Sequence, residues 1–88
     1  MKTLVMRTIE QAECEILQLM KKRLGDVLPI FSLNGEVRRE RDGTRTVHYM
    51  LFVHHRSLPR GWQRVDAPTL STIVGKFRRE IIPQIPVP

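Results

Sequence analysis

Three groups of side chains have the types and spacing to do chemistry, and all three are cationic. Arg38, Arg39, Arg41 and Arg45 surround an Asp42-Gly43 pair. Arg56, Arg60 and Arg64 bracket Trp62, with His54 and His55 just before them. Lys76, Arg78 and Arg79 follow Ser71 and Thr72 toward the C-terminal end. A two-stranded ribbon bearing Arg can enter a nucleic-acid groove, where guanidinium groups pair with phosphates and guanine edges. Basic residues around an exposed aromatic supply what a single strand needs, charge neutralisation plus a stacking surface. A basic helix face can contact phosphates.

Each group also has a plainer account, and for each taken alone the plainer account is favoured. Glu36, Glu40 and Asp42 can pair with the hairpin Arg residues and leave a solubilising tip. Trp62 can anchor its loop on the small core with a locally bonded indole N–H. Lys76, Arg78 and Arg79 can form an ordinary solvated face with stems lying along the helix.

Catalytic chemistry finds less support. His48 and His54 share a strand face but stand six residues apart, about 20 Å at strand rise. His54 and His55 point to opposite faces. Either could serve in acid–base ribonuclease chemistry, yet no carboxylate or nucleophile is fixed beside them by spacing. No residue is assigned as catalytic. Cys14 is the one cysteine, so an internal disulfide is excluded and no zinc or other metal site is expected. Off the main helical stripe, it is expected to be a partly buried small apolar residue. Gly-rich phosphate loops, Gly-Lys-Ser/Thr and Gly-x-Ser-x-Gly are missing, and no cofactor is implied.

The 88 residues suffice for one domain, 1–88. Hydrophobic residues at 41% and charged residues at 27% suit a folded chain and argue against disorder. Fifteen Lys and Arg against nine Asp and Glu leave +6. Eleven of the fifteen are Arg, and the excess grows from +1 over 1–26 to +2 over 27–57 and +3 over 58–88. Such a field speeds association with any polyanion. No apolar stretch reaches membrane-spanning length, and Arg7 and Glu10 interrupt the N-terminal apolar run before signal-peptide length, so a cytoplasmic protein without a membrane partner is expected.

The elements that must position these groups can be read from periodicity. Thr8 and Gln11 form a capping box before a helix over about 9–24, whose Ile9, Ala12, Ile16, Leu17, Met20 and Leu24 share a face. Gly25 is a natural stop. A short strand over Lys2–Met6 is a weaker expectation.

Residues 27–56 read as β-structure with Asp42-Gly43 as a type I′ hairpin signal. If Asn34-Gly35 also turns, three strands follow over 28–33, 36–41 and 44–55. If not, one long hairpin results with a bulge at Gly35, and this layout is preferred. Val47–Val53 is apolar on both faces, which calls for cover on both. Two short helices cover one face, leaving the other to the tail, a partner or a second copy of the chain. Residues 57–67 read as a loop with a type I turn at Leu58–Gly61. A second helix with Asp66 or Ala67 near its cap carries Leu70, Ile73, Val74, Phe77 and Ile81 on one stripe and ends at Pro83. Residues 83–88 form an extended Pro-rich tail.

The chain is therefore an α+β domain of order (β)-α-β-β-(β)-α, with a small antiparallel sheet of two to four strands and both helices on one face. Double-stranded-RNA-binding domains and small toxin ribonucleases share the helix–three-strand–helix order. The signature residues of neither are present, and no Gly-Ser pair precedes His48, His54 or His55 as it does the toxins' catalytic His. The leading expectation is a small, non-enzymatic nucleic-acid-binding protein, a regulator or accessory factor. Its contacts would come from Arg38, Arg39, Arg41, Arg45, Arg56, Arg60, Trp62, Arg64, Lys76 and Arg79. The alternative is a protein–protein adaptor or inhibitor, of a kind phages encode, docking a basic surface on an acidic or nucleic-acid-binding partner. Homodimerisation through the sheet is compatible with either, and a His-dependent ribonuclease is a remote third reading.

Overall fold

Thr8 starts the first helix as its spacing with Gln11 requires. Its hydroxyl accepts from the Gln11 N–H at 3.2 Å while the Gln11 side chain accepts from the Thr8 N–H at 3.0 Å. The computed structural model describes residues 8–25 and 30–87. The suggested strand Lys2–Met6 lies outside them, as do residues 27–29. Helix α1 spans Ile9–Leu24 and closes at Gly25, whose φ of +73° suits a residue without Cβ. It buries Ala12, Ile16 and Met20. Cys14 is exposed rather than partly buried, because it lies off that buried stripe.

Strands β1 (Ile30–Arg39) and β2 (Arg45–His54) form one long antiparallel hairpin. Pairing runs without a break from Ile30 opposite His54 to Arg39 opposite Arg45, so Asn34-Gly35 is neither a turn nor a bulge. Gly35 has a different task. It stands opposite Tyr49, and a Cβ there would meet Tyr49 Cε1 at 3.2 Å and Ile9 Cδ1 at 3.8 Å. The missing side chain makes room for the Tyr49 ring, which packs against the core.

The hairpin turn also differs in type. Gly43 has φ +88° but Asp42 does not have positive φ. The turn closes by Gly43 N–H to Glu40 O at 3.0 Å and Glu40 N–H to Thr44 O at 2.8 Å. It is a three-residue loop ending in a left-handed glycine rather than a type I′ pair. The Asp42 carboxylate accepts from both the Thr44 N–H and hydroxyl, which holds the loop in this form.

The expected loop over 57–67 contains the third strand, β3 (Trp62–Ala67). It pairs antiparallel with β2 from His54–Trp62 to Tyr49–Ala67, giving the order β1-β2-β3. The sequence hid it because the alternation is broken at its start, with polar Gln63 on the helix side and apolar Trp62 on the open side, and only Val65 and Ala67 keep the apolar phase.

The second helix starts later than expected, since Asp66 and Ala67 belong to β3. Thr69 is its N-cap, accepting from Thr72 N–H at 3.1 Å, and α2 spans Leu70–Lys76. Winding then continues through a widened π turn, Phe77–Ile81, and a 3₁₀ turn, Ile82–Gln84. Pro83 therefore does not end the helical path. A proline ring clashes with the carbonyl four residues earlier and offers no N–H. The widened turn, in which Ile82 N–H reaches Phe77 O, precedes that conflict. Gln84 closes the irregular end by donating to Glu80 O and to Gln63 Oε1, both at 2.6 Å.

Nor is the start of the tail free. Ile85 is fully buried, and Arg23 Nε donates to its carbonyl at 2.8 Å. Burying that side chain contributes about 2 kcal/mol. The core lies between the helices and one sheet face, where α1 and α2 meet Leu33, Leu51, Val53, Val65 and Ala67. Leu70, Ile73, Val74, Phe77 and Ile81 are all buried in it, as their spacing required. Among the described residues the other sheet face carries no helix.

Gly35→Ala tests the Tyr49 contact. Crowding the ring is expected to lower unfolding free energy by about 1–2 kcal/mol in a urea titration. An unchanged midpoint would mean that the ring simply lifts.

Candidate nucleic-acid interface

Strand alternation decides which side chains share the uncovered face. Since Trp62 pairs with His54 and Arg64 with Phe52, these four stand together on it, with Met50 beside Asp66 one step further along. The helix-side positions Gln63, Val65 and Ala67 take β3 into the core or its margin. Trp62 cannot then be the buried anchor that the plainer account assumed. It remains 42% exposed.

Its ring leans on Phe52 diagonally across the two strands, with centroids 6.3 Å apart and planes inclined by 32°. Arg64 covers the Phe52 ring from β3, its Cζ 5.9 Å from the centroid. Arg64 Nη2 also reaches Asp66 Oδ2 at 2.7 Å. That ion pair fixes the guanidinium plane and offsets part of its charge. The result is a partly exposed aromatic pair with a held cation at one side and the exposed His54 at the other.

The loop before β3 holds Trp62 in place. Leu58 is buried and anchors it, His55 N–H donates to Gly61 O, and Leu58 N–H donates to His55 O, both at 3.0 Å. His55 Nδ1 accepts from Ser57 N–H at 3.1 Å, a structural bond for that imidazole. Gly61 N–H closes the Leu58–Gly61 turn at 2.9 Å. The turn is there, but it is not type I: Arg60 takes φ +59° and ψ +11°, the left-handed conformation. Arg60 is exposed, as is Arg56, so both loop cations border Trp62 in sequence and reach solvent.

The remaining expected residues lie elsewhere. Arg38 is on the open face but at the far end, opposite Thr46 and 3.7 Å from Glu36. Arg39 and Arg45 face the helix side, and Arg41 sits in the turn. Glu40 accepts from the Thr46 hydroxyl at 2.7 Å, and Asp42 from Thr44 at 2.6 Å. The expected pairing of hairpin Arg with hairpin carboxylates thus reduces, among the described residues, to Glu36 and Arg38. Lys76 donates to Asp66 O at 2.8 Å, which commits its ammonium to tying α2 to β3. The Arg79 guanidinium lies across Gly75, where a Cβ would meet it at 3.1 Å, so that glycine makes room for Arg79. Arg78 faces Lys21 and Lys22 across an open groove between the helices.

The structure therefore gathers Arg56, Arg60, Trp62 and Arg64 at one end of the sheet and separates them from the hairpin set and from Lys76 and Arg79. Phe52 is the ring beside Trp62 that residue types alone missed. Its place on the face of β2 opposite Leu51 and Val53 was the available signal. Among the described residues no helix is long and apolar enough to cross a membrane, and no three His, Cys, Asp or Glu side chains gather as metal ligands.

Two measurements test this geometry. A left-handed Arg costs about 1 kcal/mol relative to a residue without Cβ, so Arg60→Gly is expected to raise thermal stability by up to that amount in calorimetry. The Asp42 carboxyl is held below its ordinary value of 3.8, first by the Thr44 hydroxyl and then by the Thr44 N–H. Its support of the hairpin turn is present above the unfolded value near 3.8 and lost as pH falls through the lower folded one. Following the Thr44 amide by NMR should give a midpoint below 3.8.

Compared with protein-family models, with curated proteins and with solved structures, the chain matches none.

Proposed function

We propose that this protein binds nucleic acid without catalysis, and that the open sheet face takes unpaired bases on Trp62 and Phe52. One observation carries the reading: an aromatic pair, with Trp62 42% exposed, stands on a sheet face that no helix among the described residues covers, in a chain of net charge +6. Bases stack on such rings whatever their identity, while nearby cations neutralise the phosphates. Arg56 and Arg60 extend from the loop on the Trp62 side, and Arg64 adds a planar cation next to Phe52.

The test is titration of labelled single-stranded DNA and RNA at several salt concentrations, with Trp62 fluorescence followed in parallel. Binding should quench Trp62, and log affinity should fall linearly with log salt. Trp62→Ala is expected to cost about 1–3 kcal/mol of binding for the base it stacks. Binding without quenching, or unchanged by Trp62→Ala, would place the contact elsewhere.

A second reading has its own observation. Ile30 is 76% exposed at the start of β1 on the same face as Phe52, an apolar contact of the kind a protein partner or second copy would cover. Concentration-dependent sedimentation that disappears on Ile30→Lys would favour a homodimer through the sheet.

A further inference from the structure

β3 reaches only as far as Tyr49 along β2, so among the described residues the hairpin from Glu36 and His48 outward has no third strand. Every residue from Asn34 to Arg45 is exposed. This part of the molecule is an arm of two strands about 4.8 Å apart. Its formal charge of +1 (Arg38, Arg39, Arg41 and Arg45 against Glu36, Glu40 and Asp42) conceals a segregation by face. Glu36 and Arg38 point to the open face, where the Thr46 hydroxyl also holds Glu40. The opposite face carries Arg39 directly across from Arg45 and Val37 directly across from Val47. Among the described residues neither Arg of that pair meets a carboxylate. The two valines are 65% and 40% exposed.

Like charges placed opposite one another in a ladder are unfavourable, and an exposed valine pair beside them gains nothing from water. A polyanion whose groove also presents apolar groups removes both costs. We infer that the arm is a second nucleic-acid site, one that inserts the Val37/Val47/Arg39/Arg45 face into the major groove of duplex DNA. The inference deepens the nucleic-acid reading but uses a different surface from Trp62. A B-form major groove about 12 Å wide admits a two-stranded ribbon, Arg pairs there with guanine, and apolar side chains meet the thymine methyl. Arg41 at the tip reaches the phosphate backbone. The deep, narrow major groove of duplex RNA does not admit such an arm. The ligand is therefore duplex DNA in preference to duplex RNA.

The experiment compares wild type, Arg39→Ala/Arg41→Ala/Arg45→Ala, Val37→Thr/Val47→Thr and Trp62→Ala on a blunt DNA duplex, the matching RNA duplex and the single strand. All these positions are exposed on the surface, and circular dichroism checks that each variant folds. Wild type should prefer duplex DNA to duplex RNA. The triple Arg variant should weaken binding to duplex DNA, lower its salt slope by about 0.9 for the one phosphate contact of Arg41, and leave Trp62 quenching by the single strand intact. The valine variant should lower affinity for duplex DNA with the slope unchanged. Trp62→Ala should leave duplex binding as it was. Equal binding of both duplexes, or a triple Arg variant that keeps the wild-type slope, overturns the groove assignment. Duplex binding that depends on the arm while the single strand fails to quench Trp62 would sink the stacking reading and leave this one standing. The reverse pattern would do the opposite. Binding of an acidic peptide through the arm with no duplex binding would replace it with a protein contact.

Discussion

The structure depends on the fact that two short helices can cover only one face of the sheet. Leu33, Leu51, Val53, Val65 and Ala67 take that cover, together with both helix stripes and Ile85. An 88-residue chain has little further apolar surface to commit. The uncovered face must then satisfy its own side chains with water, with each other, or with a ligand. Phe52 and Trp62 meet each other, Arg64 meets Phe52 and Asp66, and Ile30 meets solvent. A single layer of helices therefore determines both where the core lies and where binding chemistry is left available.

The C-terminal segment shows the same economy. A Pro at position 83 would ordinarily detach everything after it. Instead the π turn accommodates the ring, Gln84 bridges Glu80 and Gln63, and Arg23 fixes the carbonyl of the buried Ile85. One N–H of the Arg23 guanidinium is thereby given to the fold. Lys76 gives one ammonium N–H to the Asp66 carbonyl in the same way. Of the positive charge that composition advertises, part is structural, and only position in the fold separates that part from the rest.

Much of the architecture was legible in the sequence because it rests on local rules. The α1 boundaries followed from Thr8, Gln11 and Gly25, and the α2 stripe from i, i+3, i+4 spacing. The α+β class and the single covered face followed from the strand and helix patterns together. What stayed hidden was set by contacts distant in sequence. Gly35 resembles half of an Asn-Gly turn until Tyr49 is placed across from it. β3 looks like a loop because six residues led by Trp, with Arg and Asp alternating, lack a strand signal until β2 pairs with them. The candidate site was half visible for the same reason. Arg60, Trp62 and Arg64 announced themselves by type, whereas Phe52 acquires a role only through the register that brings it diagonally beside Trp62.

β2 unites these observations. Its outward alternation, Met50 and Phe52, reads as a core signal in sequence and instead lies on the open face, where Phe52 meets Trp62. Its inward alternation enters the core at Leu51 and Val53, reaches the margin at Tyr49 and leaves the core at Val47. Both changes have one cause, the length of β2 relative to what covers it. Ten residues of strand extend beyond a six-residue β3 and beyond the helices behind it. A shorter strand would have buried the same core and left no arm. The excess length is what turns a strand apolar on both faces into one core contact and two separate exposed surfaces.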